Sequence, residues 1–469
     1  MSMQIFRTKH YSSNEHIDHG LKRCLSAWDL AFLGIGAIIG TGIFVLTGVA
    51  AATQSGPAVV LSFVIAGFAC TFAALSYAEL SSSIGGCGSA YGYSYVAFGE
   101  LCAFIIGWDL LLEYSIAVAT VANGWSGYFC NALEAIGIAL PDVLTKAPQL
   151  GGIINLPAAI IILLLMGLLI MGAKQSARAN NTMVFVKLIT IVVFIAVAAF
   201  NVHAENWQPF MPFGWFQTLP DGQTTGVLAG ASLVFFAYVG FDAVSTATEE
   251  AKNPQRDLPF GIVASLMFCT VIYILVSGLL TGVVNYTELN VSSPVAHALN
   301  LMGYTWASAL ISTGVIAGLS TVMLVLYYAL TRIVFAMSRD GLLSPFFSKV
   351  NPKTQTPVRV IVLCGVIMSL IAGFIPLNEL AELVNIGTLA AFVLVCFGVL
   401  VLRITKPDMP RPFRTPFSPL FPVLGVLSCG ALMAFLPSLT WLRFVIWLVI
   451  GLIVYFVYSM HHSRLAQAD

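Results

Sequence analysis

The sequence predicts an all-α membrane protein whose first and sixth membrane-spanning helices are each interrupted. The 469 residues are 58% hydrophobic and only 9% charged, whereas soluble domains carry about 25% charged residues. About a dozen stretches approach the roughly 20 apolar residues that a bilayer-spanning helix needs. Two of these stretches are interrupted where an unbroken helix would otherwise lie in the hydrocarbon. The first is glycine-rich around Gly40, and the second is interrupted at residues 237–242, around Gly240.

Apolar runs separated by glycine, proline and asparagine predict twelve spans. Their predicted ranges are residues 27–53, 57–80, 97–124, 153–173, 181–201, 225–250, 258–284, 304–338, 357–375, 378–402, 417–437 and 441–460. Residues 1–26 and 461–469 are the expected terminal tails. No separate soluble domain fits between these spans.

The basic residues are distributed unevenly around the predicted spans. Eighteen of the 21 lysines and arginines fall in the two tails and in alternate connections, and the opposite loops hold only Lys146 and Arg443. Cytoplasmic loops carry the excess of basic residues in membrane proteins. We therefore expect a multi-pass protein of the inner (plasma) membrane with both termini in the cytoplasm.

The first interruption lies in residues 31–44, where four of the fourteen residues are glycine. In hydrocarbon every backbone N–H and C=O needs a partner that water cannot supply. A helix that breaks there must line a protected cavity or bind a ligand. The half-helix that begins at Gly42 directs its N–H groups and positive dipole end towards the middle of the membrane, which suits a carboxylate.

The second interruption lies near Phe236 and Ala237, where the first half of the sixth span ends. The carbonyl groups of these residues, together with those of Ala37 and Ile38, suit an ammonium group. A zwitterionic α-amino acid satisfies both poles.

Several residues around the breaks also have a structural interpretation. The glycines of the first span can instead serve close helix packing. Both interpretations stay open for Gly34 and Gly36, whereas binding is favoured for Gly40 and Gly42. For Asp242, an N-cap of the second half-helix is favoured over a coupling carboxylate.

Several motifs resemble those of amino acid permeases in the amino acid–polyamine–organocation superfamily. They are GIGAIIGTGIF at residues 34–44, GSAY at 88–91 with Tyr95 and residues 99–100, FFAYVGFDAV at 235–244, EEAKNP at 249–254 with residues 258–259, and Arg332 with AMSRDG at 336–341. Together they point to a bacterial-type member of the cationic amino acid transporter family. The resemblance implies a LeuT-type core over residues 27–402, built from two five-helix inverted repeats at about 27–201 and 225–402. Two accessory helices would follow within residues 417–460.

The resemblance also implies a set of site residues. Those carried over to substrate binding are Ile38, Ile39, Gly40, Thr41, Gly42, Phe236, Ala237, Val239, Gly240 and Met323. The bulk of Met323 beside the side-chain pocket leaves little room for arginine and favours a small or medium neutral amino acid such as alanine. Ordinary helix packing explains a methionine there equally well.

Lys187 and Glu113 are the ionisable residues within spans that bear most on mechanism. A charge at mid-bilayer costs about 2.5–3.5 kcal/mol on insertion scales, so such groups usually face the bundle interior and are paired. Lys187 could instead snorkel to the interface. The resemblance implies that Lys187 takes the place of a sodium ion and exchanges protons. Glu113 is expected to partner Lys187, to line the pocket, or to make a buried hydrogen bond, and Asp109 to be structural.

The expected activity is therefore import of a neutral amino acid by proton-coupled symport and alternating access. The sequence leaves open cationic substrates, exchange, and sodium coupling through Ser320 and Thr321. A channel is disfavoured because no filter-like loop is present. An intramembrane enzyme is disfavoured because all seven histidines lie in tails or loops and no HExxH motif occurs.

The remaining composition excludes several kinds of site. The nine cysteines are scattered without CxxC spacing, and the formal net charge is zero. We expect no disulfide framework, metal or cofactor, and no nucleic-acid partner. The expected partners are the amino acid substrate, the proton and the lipid bilayer, and a small membrane subunit is left open.

Overall fold

A computed structural model of the chain describes residues 7–8, 25–84, 88–171, 173–219, 224–248, 251–351, 354 and 356–465, without the side chains of residues 135 and 173–181. Most of the predicted tail 1–26, the end of the tail 461–469 and residues 249–250 of the EEAKNP motif lie outside these ranges. The described protein is predominantly helical.

Among the described residues, eight helical segments are long and apolar enough to cross a membrane. They are Gly42–Ser83, Glu100–Glu134, Thr182–Ala199, Val227–Ala247, Pro254–Val283, Thr305–Arg339, Leu377–Thr405 and Ser438–His462. Four shorter apolar helices accompany them: Ala27–Ile38, Leu156–Met171, Val358–Phe374 and Leu420–Ala434. The chain is thus a multi-pass membrane protein.

The α-helices are numbered here in chain order. They are α1 (Ala27–Ile38), α2 (Thr47–Ala50), α3 (Val59–Ser83), α4 (Ser89–Ala97), α5 (Glu100–Ala135), α6 (Asp142–Thr145), α7 (Leu156–Met171), α8 (Ala173–Ala199), α9 (Val227–Val234), α10 (Pro254–Val283), α11 (Pro294–Leu301), α12 (Thr305–Arg339), α13 (Val358–Phe374), α14 (Leu377–Thr405), α15 (Leu420–Ala434), α16 (Ser438–Val454) and α17 (Met460–His462).

Each predicted span overlaps helix in the structure, but three features differ from the sequence analysis. The helices α4 and α11 form in segments that were expected to be loops. Helix α5 continues past its predicted end at residue 124, and α8 begins before residue 181, because neither stretch contains a proline to stop it. A two-stranded antiparallel hairpin, β1 (Gln217–Thr218) with β2 (Thr224–Thr225), also interrupts the all-α pattern.

Local sequence accounts for the start and the packing of α1. Ser26 and Asp29 form a capping box, in which each side chain accepts a hydrogen bond from the backbone N–H of the other. Gly34 packs against α10, where an added Cβ would lie 2.4 Å from the Ser265 hydroxyl. Gly34 is therefore a packing glycine, which decides between the two interpretations left open above. It lets α1 lie directly on α10.

The bundle places long helices around the two interrupted segments. Helix α12 packs along α5, and α10 packs along both α3 and α1. Helix α8 contacts α12 and also reaches α1. Helices α8, α10 and α12 therefore pack around α1.

Candidate functional site

The first helix breaks just after Ile38. Helix α1 ends there, Ile39 is extended (φ −72°, ψ 99°), and a π-helical turn begins at Gly42. An added Cβ at Gly42 would lie 2.3 Å from the Ala237 Cα. Only glycine therefore permits the second half-helix to start where it does, against the other interrupted segment.

The second break follows the same pattern. Helix α9 passes into a 3-10 turn, Phe235–Tyr238, and Val239 leaves the helical region with ψ 132°. Gly240 has φ +117°, a backbone conformation that favours glycine. A further 3-10 turn begins at Asp242. Gly240 faces the first break, because its added Cβ would lie 3.0 Å from the Ala37 carbonyl oxygen.

A small cavity of about 10 Å³, roughly the room that one water molecule needs, lies between the two breaks and the helices α5 and α12. It is lined by Ala37, Ile38, Gly40, Thr41, Gly42, Ala117, Val121, Phe236, Val239, Val322 and Leu326. All of these residues are buried, and none carries a charged side chain. The cavity is therefore enclosed in protein and electrically neutral at its walls.

Thr41 is the polar side chain of this lining. It is fully buried, and its hydroxyl has no hydrogen-bond partner among the described residues. Buried polar atoms in folded proteins nearly always have a partner, so this hydroxyl is available to a water molecule or a ligand in the cavity. Thr41 directly precedes the second half-helix, whose first N–H groups have no acceptor within their own helix. The Phe44 N–H already donates to the Gly40 carbonyl oxygen at 3.4 Å, which leaves those of Thr41 and Gly42.

Most of the predicted substrate residues converge on this space. Those that line the cavity are Ile38, Gly40, Thr41, Gly42, Phe236 and Val239. Ile39, Ala237 and Gly240 belong to the breaks without lining the cavity. Their backbone and small side chains instead shape how the two interrupted segments meet.

Met323 is fully buried on α12, next to the cavity lining. The lining residues of α12 are Val322 and Leu326, which lie one helical turn apart on one face. Met323 is rotated by about 100° from Val322 but by only about 60° from Leu326, so it borders the same face. Its place beside the side-chain pocket stays a prediction, and Val322 and Leu326 are the α12 side chains that line the cavity.

The sequence analysis also missed the contribution of α5. Ala117 and Val121 line the cavity opposite the breaks, and their spacing of four residues places them on one helical face. Small apolar residues occur throughout the spans, so no sequence signal distinguishes these two.

Lys187 lies beside the first break. Its side chain is fully buried in the protein, so the snorkelling alternative is wrong. The ammonium donates to the Gly36 carbonyl oxygen at 2.6 Å and to the Ile39 carbonyl oxygen at 2.9 Å. It thus satisfies two backbone acceptors where α1 ends. Gly36 therefore contributes a carbonyl group to the break.

Glu113 does not pair with Lys187, which was one of the three roles predicted for it. It is buried on α5 near Asp242 and Asp109, and neither of its carboxylate oxygens has a hydrogen-bond partner among the described residues. It is also absent from the cavity lining. Helix α5 presents Ala117 to the cavity instead, one turn further along.

Asp242 is not the N-cap that the sequence analysis favoured. It is the first residue inside its 3-10 turn, and Phe241 is the capping residue, without a side-chain cap. The Tyr114 hydroxyl donates to the Asp242 carboxylate at 2.5 Å. This contact joins α5 to the second interrupted segment.

The two hydroxyls considered for sodium coupling are already engaged. Ser320 donates to the Ile316 carbonyl oxygen at 2.8 Å and accepts from the Trp125 indole at 3.0 Å. Thr321 donates to the Gly318 carbonyl oxygen at 2.7 Å. Only the Trp125 contact joins α12 to another helix, and each hydroxyl keeps lone pairs that can accept, so sodium coupling through these residues stays an alternative.

Comparison with known proteins gives the context for this geometry. Residues 25–462 match the family model described as "Amino acid permease". The chain is 52% identical to the methylthioribose transporter of Bacillus subtilis, over 95% of each chain. It is 50% identical to a branched-chain amino acid permease of the same organism, over 96% of each chain. It is also 39% identical to the vacuolar cationic amino acid transporter 4 of Arabidopsis thaliana, over 83% of this chain and 65% of that protein. The chain therefore belongs to the amino acid permease family, and it is a transporter rather than an enzyme.

Proposed function

We propose that this protein is a secondary active transporter that imports a small or medium neutral L-amino acid together with a proton. The observation that carries the proposal is the enclosed, uncharged cavity between two broken helices, with the unpartnered Thr41 hydroxyl at one end. An amino acid has the matching form: two charged ends for backbone groups and an aliphatic side chain for the apolar walls.

The carboxylate would lie at the start of the half-helix that follows the first break. Free N–H groups and the positive dipole end favour an anion there. The Thr41 hydroxyl would donate a further hydrogen bond to the same carboxylate. The ammonium group would face carbonyl groups at the ends of α1 and of the Phe235–Tyr238 turn.

The side chain of the substrate would point towards α5 and α12. Val121, Val322 and Leu326 provide an aliphatic wall, and no carboxylate in the lining is available to neutralise a cationic side chain. This supports a neutral aliphatic substrate over arginine or lysine. The similarity to the branched-chain permease supports the same choice.

A thiosugar is the second candidate substrate, because another similar relative is named as a methylthioribose transporter. The uncharged lining is compatible with a neutral sugar. A sugar, however, carries neither the carboxylate nor the ammonium that the ends of the two half-helices favour. We therefore rank an amino acid first.

Lys187 is proposed as the proton-coupling residue. Its ammonium occupies the Gly36 and Ile39 carbonyl groups, and its positive charge would repel a sodium ion from them. Loss of its proton would weaken both hydrogen bonds and release the end of α1, which links protonation to alternating access. Glu113 is proposed as a second protonatable residue, although it is not in contact with Lys187. Sodium coupling and exchange are the alternatives.

The proposed architecture has twelve spans in which α1 and the segment Gly42–Ser55 form one interrupted crossing. The second interruption lies in the sixth crossing, which supports an inverted repeat of five helices with two accessory helices after it. The distribution of basic residues supports cytoplasmic termini and insertion in the plasma membrane.

The experiment is a radiolabelled substrate panel in proteoliposomes containing the purified protein, with and without an inward proton gradient. The panel contains leucine, valine, alanine, arginine and methylthioribose. We expect accumulation of a neutral amino acid that depends on the gradient and is saturable. If the protein accumulates only methylthioribose, the substrate is the thiosugar and not an amino acid. If uptake of every substrate is the same with and without the proton gradient, proton coupling is rejected.

A further inference from the structure

A tyrosine of α10 contacts both interrupted helices at once. The Tyr273 hydroxyl lies 2.9 Å from the Ile38 carbonyl oxygen and 2.7 Å from the Ala237 carbonyl oxygen. Ile38 is the last residue of α1, and Ala237 lies in the turn that precedes the second break. The tyrosine side chain is fully buried.

One hydroxyl has a single hydrogen to donate, so the two carbonyl groups must share it. The Ile38 and Ala237 carbonyl oxygens therefore both point at the Tyr273 hydroxyl, which lies between them. Without the hydroxyl, two buried acceptors from different helices would lie close together with no donor between them. The contact consequently depends on the relative position of the two breaks.

Lys187 and Tyr273 divide the carbonyl groups near the first break between them. Lys187 takes the carbonyl groups of Gly36 and Ile39, both within the first interrupted helix. Tyr273 instead joins the first interrupted helix to the second. Its ring is held in place by Phe63 and Tyr238, whose ring centroids lie 5.4 Å and 5.2 Å away.

We infer that Tyr273 is a positioning residue for transport, whose hydroxyl holds the two helix breaks at the separation that a substrate needs to span them. The inference rests on the proposed function, in which one substrate contacts both breaks. It also narrows the site, because the Ile38 and Ala237 carbonyl groups already have a donor. The Phe236 carbonyl group also has a donor, the Val239 N–H at 3.2 Å. The ammonium of the substrate is therefore left with the carbonyl group of Ala37, and those of Ile38 and Ala237 act through Tyr273.

The test compares Tyr273→Phe with Tyr327→Phe. Tyr327 is a matched control because it is also fully buried and its hydroxyl donates to a single carbonyl group, that of Ile361 in α13, outside both break segments. The first measurement is hydrogen–deuterium exchange in the purified protein without substrate. We expect Tyr273→Phe to speed exchange in both break segments, residues 36–44 and 235–244, and Tyr327→Phe to leave both near the wild-type rate.

The second measurement is uptake kinetics with the substrate that the wild-type protein accumulates. We expect Tyr273→Phe to raise KM by about tenfold or more, with a smaller change in kcat, because the two halves of the site lose their alignment. If Tyr273→Phe does not fold, 3-fluorotyrosine at position 273 replaces it. Its more acidic hydroxyl donates more strongly, and we expect slower exchange in both segments.

The outcomes separate this inference from the proposed function. Faster exchange in only one segment or in neither, or an equal effect of Tyr327→Phe, overturns the positioning role even if transport is as proposed. An unchanged KM in Tyr273→Phe also overturns it. Failure of the wild-type protein to transport any amino acid rejects the proposed function, and the exchange result still decides whether Tyr273 joins the two breaks.

Discussion

Substitution of Gly42 by alanine perturbs the contact on which the site depends. The added Cβ would lie 2.3 Å from the Ala237 Cα, 2.4 Å from its Cβ and 2.8 Å from its backbone nitrogen. Carbon atoms in good contact lie about 3.5–4.0 Å apart, so the two breaks must separate by at least about 1 Å. No flexible side chain can yield, because the obstructing atoms are backbone atoms and a Cβ.

The expected loss is larger in transport than in stability. Overpacking of this kind costs about 1–3 kcal/mol of folding free energy, whereas a displacement of about 1 Å at a reacting or binding centre can reduce the rate roughly a hundredfold. The assay is kcat/KM for substrate uptake in proteoliposomes, with thermal unfolding of the same preparation measured by intrinsic fluorescence.

Gly278→Ala is the matched control for this substitution. The glycine lies in α10, and its added Cβ would meet Val60 at an ordinary 3.6 Å. We expect the control to transport within about threefold of the wild-type rate, since Gly to Ala in a helix interior changes stability by only about 1 kcal/mol. Near-wild-type uptake by Gly42→Ala would refute the argument that the two breaks must touch.

Two further predictions concern the coupling residue and the cavity wall. Lys187→Met should abolish accumulation driven by the proton gradient while substrate counterflow persists, whereas Lys146→Met, a partly exposed lysine paired with Asp142, should accumulate normally. Gradient-driven accumulation by Lys187→Met would contradict the coupling role. Val322→Phe should lower uptake of leucine more than uptake of alanine because it fills the lining, and Met323→Ser should leave that ratio unchanged. A shifted leucine-to-alanine ratio in Met323→Ser would place the Met323 side chain in the pocket, as the resemblance implies.

Much of the architecture follows from local sequence. The apolar runs predict the long helices because hydrocarbon requires each span to satisfy its own backbone. The interruptions are detectable because glycines at Gly40, Gly42 and Gly240 stand out against that background. The short helices α4 and α11 escaped prediction, since eight or nine residues give too little periodicity to separate from a loop.

The side-chain half of the cavity was much harder to predict. Ala117, Val121, Val322 and Leu326 are apolar residues in apolar helices, and lipid-facing and cavity-facing positions look alike in such sequences. Met323 is predicted beside the pocket by resemblance alone, which identifies the helix that carries it but not the direction in which its side chain points. The cavity wall therefore depends on helix packing that the sequence does not display.

The buried polar contacts show the same limit. The sequence leaves burial of Lys187 as one of two alternatives, and its acceptors in the structure are backbone carbonyl groups rather than Glu113. The role of Tyr273 carries no sequence signal, because buried tyrosines are common and its partners lie far away in the chain. Such contacts become visible only when the breaks are placed against their neighbours.

A structure of the protein determined with its transported substrate bound tests the central claim most directly. We expect ligand density in the cavity between the breaks, with an anionic end against the N–H groups of Thr41 and Gly42 and an aliphatic end against Val322. Density at any other place in the bundle, or α1 and α9 each continuing as an unbroken helix through the membrane, would contradict the account.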